Sequence, residues 1–164
     1  MMRPLSRALV RTPSSLARAW GRALPRMRAM PSSSSSLSGN VLLSQAGLPK
    51  FGAVKAAHVA PALDHLLGIL EADFAALEAT LDAKLRGGGT ASYGEVVEAL
   101  EVLEAPLDYA WGTVNHLTGV MNSDELRAAH RAAQPRVIAA TSRLAQSSVV
   151  FRALLQVGKT YVAY

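Results

Sequence analysis

The chain has no cysteine. That excludes disulfides, thiolate nucleophiles and every cysteine-ligated zinc or iron–sulfur site. Aromatic residues are scarce, at 5% of the 164 positions. Alanine and leucine dominate instead, which favours helix over sheet. No apolar run is long enough to cross a bilayer. Three chemical signatures are also missing: the G-x-S-x-G elbow, the P-loop and the helical zinc motif H-E-x-x-H. Acidic residues are absent until Asp64, whereas residues 1–39 hold seven arginines. From residue 40 onward ten Lys/Arg meet twelve Asp/Glu, a net charge of −2. The basic character therefore belongs to the N-terminus. Without that segment the reason to expect a nucleic-acid partner disappears, because phosphate binding needs clustered cations.

The length suits one compact domain, or one domain plus a leader. Arg3, Arg7, Arg11, Arg18 and Arg22 fall on one helical face, and Leu5, Leu9, Leu16, Trp20 and Leu24 keep a similar rhythm on another. The run "PSSSSSLSG" follows. Arg-rich, Ser-rich, acid-free and amphipathic describes an organellar transit peptide. Residues 1–39 are expected to be such a leader, disordered in water. The alternative is a basic tail that binds something acidic. The arginine stripe favours the mitochondrion, and the serine tract brings in the chloroplast stroma.

The rest reads as all-α, with antiparallel hairpins or a three-helix bundle of long, kinked helices. Gly47, Pro49 and Gly52 make 40–54 irregular, with Leu42, Leu43, Leu48 and Phe51 expected to pin it to a core. The first helix should run from Ala56 to about Leu85. Its seam is Leu63, Leu67, Leu70, Phe74, Leu77 and Leu81, spaced as in a bundle. "RGGGT" (86–90) stops it. Ser92 and Glu95 form a capping box for the second helix. That seam is Val96, Leu100, Leu103, Leu107, Ala110, Val114, Leu117 and Met121, with a kink or split expected at Pro106. Asn122 with Glu125, or Ser123, caps the third helix, and Asp124 and Glu125 suit its dipole. Its seam is Leu126, Ala129, Ala133, Val137, Ala140, Leu144, Ser147, Phe151 and Leu154, with a kink at Pro135. Gly158 is a plausible stop, leaving 157–164 as an irregular tail.

The stretch "NHLTGVMNSDELRAAH" (115–130) places His116 and His130 on either side of two acids. Two histidines do not make a catalytic zinc site, which needs a third ligand and an open position. His58 and His65 share a helix face but lie about 10 Å apart along the axis. Glu98, Glu101 and Glu104 sit off the seam and read as solvated. Trp111 and Tyr109 are able to line a peptide groove, although packing is the commoner use at helical spacing. The residues themselves thus offer no catalytic, cofactor-binding or metal-ligating side chain.

A resemblance adds to this. "NVLLSQAGLPKFGAVKAAHVAPAL" is similar to the start of the mature chain in the oligopeptidase A / thimet oligopeptidase family of zinc metallopeptidases. Leu42, Leu43, Leu48, Pro49, Phe51, His58, Val59, Pro61 and Ala62 carry it. "VNHLTGVMNSDELRAAHRAAQPRVIA" resembles a second family segment through His116, Leu117, Val120, Asn122, Ser123, Glu125, Leu126, Arg127 and Ala129, and "SRLAQS" at 142–147 fits the next piece. The resemblance covers about 40–156. Gly52, Ala56, Ala57 and Ala99 depart from it. It implies the N-terminal helical domain of an organellar oligopeptidase, whose full-length form hydrolyses short unstructured peptides, including cleaved targeting peptides. In such an enzyme the domain forms part of one wall of the substrate channel. The family's zinc, held by H-E-x-x-H and a later glutamate, transfers to no residue here. The implied partners are short peptides and the catalytic domain of the same family, with neither nucleic acid nor membrane. The competing expectation is a non-catalytic helical module that binds a peptide or a partner helix through an exposed seam. Alanine-rich seams bury little area, so an isolated fold is expected to be marginal and to leave an apolar face open.

Overall fold

The computed structural model describes residues 37–162. The leader expected over 1–39 therefore lies outside the described residues up to position 36, as do the last two positions of the expected tail. Among the described residues there are four helices, α1 (Ala56–Arg86), α2 (Ala99–Val120), α3 (Asp124–Ala145) and α4 (Ser148–Val162), and no strand. The fold is all-α as expected. α1 is the spine, and α2, α3 and α4 all pack against it.

The spine position follows from the α1 stripe. All six expected seam residues are buried, and Val59, Ala62 and Leu66 widen the stripe. Nine buried apolar side chains give one helix enough surface to hold three others. The largest, Phe74, is fully enclosed, with the Arg143 guanidinium 5.1 Å above its ring centre. Outside the stripe, acids on α1 meet arginines from α3 and α4. Asp64 pairs with Arg136, Glu78 with Arg143, and Asp82 with Arg152. Exposed pairs of this kind contribute about 0.2–1 kcal/mol each, so they set register more than they set stability.

The ends of α1 are built from local chemistry. At the start, the Lys55 backbone N–H donates to His58 Nδ1 at 3.1 Å. At the finish, the Gly89 N–H donates to the Lys84 carbonyl and the Gly88 N–H to the Leu85 carbonyl, with Gly88 at φ +74. That is a Schellman turn, and it needs a residue able to adopt the left-handed conformation. The chain re-enters helix through the expected Ser92/Glu95 box. The Ser92 N–H donates to Glu95 Oε2 at 2.9 Å, and the Glu95 N–H to Ser92 Oγ at 3.3 Å. A single π turn, Gly94–Glu98, then leads into α2. Lys84 reaches across to Glu95 at 2.6 Å. This lysine and the Ser92 N–H pull the Glu95 carboxyl down to about 2.

The irregular segment 40–54 contains two 3-10 turns, Val41–Leu43 and Phe51–Ala53. Buried Asn40 fastens it: its amide donates to the His58 carbonyl at 2.9 Å, and its Oδ1 accepts from the Leu42 N–H at 3.1 Å. Gln45 donates to the Pro106 carbonyl at 2.7 Å. Leu42 is buried and Leu43 packs against the core, but Leu48 is 89% exposed, so it anchors nothing.

The three-helix expectation is corrected beyond residue 145. Pro61, Pro106 and Pro135 all lie inside helices and none of them ends one. The break comes at Gln146–Ser147, without proline or glycine. Ser147 Oγ accepts from the Val150 N–H at 3.2 Å, which is an N-cap. The same hydroxyl donates to Glu78 Oε1 at 2.7 Å. This restart moves the seam by one residue. Val150, Ala153 and Val157 are buried, whereas the expected Phe151 and Leu154 are 61% and 39% exposed. Gly158 does not stop α4, which continues to Val162 in place of an irregular tail. Met121, expected in the second seam, is exposed where α2 ends.

Candidate functional site

The corner at 115–130 is structural. Ser123, rather than Asn122, caps α3, with its Oγ accepting from the Leu126 N–H at 3.2 Å. Asp124 and Glu125 fill the first turn, and Asp124 pairs with Arg127. The N–H of Glu125 itself, followed by the Ser123 hydroxyl, lowers the Glu125 pKa. The two histidines go to different neighbours. His130 stacks on Trp111 with ring centres 4.6 Å apart and bonds Asn115 Oδ1 through Nε2 at 2.7 Å. His116 meets Phe51 at 4.9 Å. Each histidine thus fastens one connection, α3 to α2 or the 40–54 segment to α2. Trp111 is half-buried against the core, so packing is its use here.

These side chains do not fit a zinc ion. His58 Nδ1 and His130 Nε2 are already engaged within the chain. Among the described residues no group of three or more His, Cys, Asp or Glu is placed to hold a metal. Glu98, the last residue of the π turn, and Glu101, Glu104 and Asp108 of α2 form a row with no ion pair to a described residue. Burial, and then the charge of Asp108, raise the Glu104 pKa. Among the described residues no nucleophile or histidine stands in hydrogen bond to them, the arrangement that acid–base chemistry uses. A shallow concavity of about 370 Å³ beside Leu37, Asn40, Leu43 and Lys50 presents a single charged side chain.

What the chain does offer is surface. α4 is apolar on two sides. Val150, Ala153 and Val157 face the core, while Phe151, Leu154 and Leu155 form an outer ridge at helical spacing, Leu155 being 49% exposed. Phe151 and Leu154 belong to the expected third seam, so that seam is open along the outer side of α4.

Comparison with known proteins gives this arrangement of helices a family. The family model for the neurolysin/thimet oligopeptidase N-terminal domain matches residues 63–162. Two relatives from Arabidopsis thaliana, a probable cytosolic oligopeptidase A and an organellar (chloroplastic/mitochondrial) oligopeptidase A, are each 36% identical over 121 residues, 74% of this chain. The chain spans only 16% and 14% of their lengths. No solved structure matches it. The match takes in α1 from Leu63 onward and all of α2, α3 and α4, and the chain belongs to the neurolysin/thimet oligopeptidase family through its N-terminal domain.

Proposed function

We propose that residues 40–162 act as the N-terminal helical domain of an organellar zinc oligopeptidase. In a protein of family length they wall one side of the channel that admits short, unfolded peptides, cleaved targeting peptides among them. They carry out no bond-breaking. The observation that carries this reading is the match over 63–162, which takes in all of α2, α3 and α4 and most of α1. Zinc and the catalytic base belong to other parts of a family-length protein, and no step of the hydrolysis runs through this chain's residues. The arginine-rich leader supports the organellar assignment. One relative is named cytosolic and the other organellar, and the acid-free, arginine-rich residues 1–39 favour the organellar reading.

The test has two arms. Purified chain with added zinc should leave a quenched-fluorescence peptide intact. A chimera of the organellar Arabidopsis relative, carrying this chain's 63–162 in the matching segment, should cleave it. Chelator-sensitive turnover by the chain alone, or a folded chimera with no turnover, contradicts the proposal. Residues 1–39 fused to a fluorescent protein should direct it to mitochondria or plastids, and a cytosolic signal overturns the localisation. A second reading, a non-catalytic module that binds a partner helix, is favoured by the open face of α4.

A further inference from the structure

The chain has three asparagines, Asn40, Asn115 and Asn122, and the fold treats them differently. Asn40 is buried, both ends of its amide are hydrogen-bonded, and the branched Val41 follows it. Asn115 lies inside α2, where its Oδ1 is 2.7 Å from His130 Nε2. The N–H that follows it, that of His116, also lies within the helix. Asn122 has neither kind of restraint. It is exposed in the link between Val120, where α2 ends, and Asp124, where α3 begins. The cap of α3 falls to Ser123, so the Asn122 side chain is left without a structural task. Among the described residues neither its amide nor the Ser123 N–H makes a hydrogen bond.

An asparagine amide is an electrophile held next to a main-chain nucleophile. The nitrogen of the following residue, once it gives up its proton, attacks the side-chain carbonyl carbon. A C–N bond forms, and the side-chain nitrogen takes a proton from water and leaves as ammonia. Water then adds to either carbonyl of the cyclic imide and opens it. One opening gives aspartate. The other gives isoaspartate, in which the main chain runs through the β-carbon. Ring closure needs main-chain dihedrals that no helix fixes and a small residue after the asparagine. Inside α2 the helical hydrogen bonds fix those dihedrals, so Asn115 must wait for a local opening. Asn40 waits as well, and the branched Val41 crowds the ring. Ser123 is small, and its backbone is extended at φ −131.

We infer that Asn122 is a modification site, at which the folded domain forms the imide and then an isoaspartyl residue directly before the α3 cap. The isoaspartyl form adds one methylene to the main chain ahead of Ser123 and a further carboxylate beside Asp124 and Glu125. Its free α-carboxyl is the group that an isoaspartyl carboxyl methyltransferase accepts, so an enzyme of that class is the partner this corner fits. Nothing in this depends on the peptidase reading.

The test holds the full chain in warm, mildly alkaline buffer, either folded or unfolded in urea, and samples it by tryptic mapping. Asn115 and Asn122 share the peptide 87–127 and are separated by fragmentation, whereas Asn40 lies in 29–50. Folding should slow Asn115 and Asn40 about tenfold or more, because they react only from opened forms, and should leave Asn122 within about twofold of its unfolded rate. Methyl transfer from S-adenosylmethionine by a purified isoaspartyl methyltransferase should label the same peptide 87–127. Ser123→Gly, which keeps a permitted cap residue, should speed the conversion, and Asn122→Gln should remove the label. Slowing of Asn122 by folding to the extent seen at Asn115 overturns the inference. So does conversion to aspartate alone, without isoaspartate and without a response to Ser123→Gly, because direct hydrolysis of the amide needs no ring.

Discussion

α1 and α4 use their second faces in opposite ways. α1 buries a broad apolar stripe, and three acids on its remaining surface, Asp64, Glu78 and Asp82, pair with Arg136, Arg143 and Arg152 of α3 and α4. α4 buries three small or medium side chains and leaves three larger ones uncovered. The contrast teaches that this domain is closed at its centre and open at its margin.

The contrast can be broken from either side. The largest effect should come from Phe74→Ala, which empties the centre of the spine. A loss of about 3–5 kcal/mol is expected in urea unfolding. Asn40→Ala should follow, at about 1–3 kcal/mol, because the His58 carbonyl and the Leu42 N–H lose their partner. Ser147→Ala removes the α4 cap and its link to Glu78, and about 1 kcal/mol should be lost. Gly158→Ala should act in the other direction, stabilising the isolated chain by about 0.5–1 kcal/mol.

The smallest effect is the acid response of Glu95. Its folded pKa is about 2, below the ordinary 4.5. The bridge to Lys84 and Ser92 thus contributes stability that is complete above about 4.5 and is lost as the pH falls towards 2. Both side chains are partly in water, so solvent screening keeps the contribution small. Glu95→Gln should flatten the thermal-midpoint curve between pH 5 and 2.5. An equally steep curve in the variant would remove Glu95 from the account.

Legibility in the sequence follows the same contrast. The α1 seam could be read residue by residue because its 4-3-4-3-4 spacing runs unbroken and the Schellman glycines mark its end. The slip at Ser147 was hidden, because a serine at a seam position reads as continuing the rhythm. Its use as a cap depends on Glu78, 69 positions away. Proline misled in part: Pro106 allowed a split in the second helix, but α2 runs on through it. Asn40 and Gln45 gave no signal, since they bond backbone carbonyls 18 and 61 positions away. Of the candidate site, the structural use of Asp124, Glu125 and Trp111 was legible. The pairing of His130 with Asn115 and Trp111 needed the fold, because it joins side chains across the α2–α3 corner.

The most direct test is native-state hydrogen exchange on the isolated chain. Amides of α1 around Phe74 should exchange only through global unfolding, and those of α4 from Phe151 to Leu155 through a cheaper local opening. Equal protection of both helices would contradict the account of α4 as the open margin of the bundle.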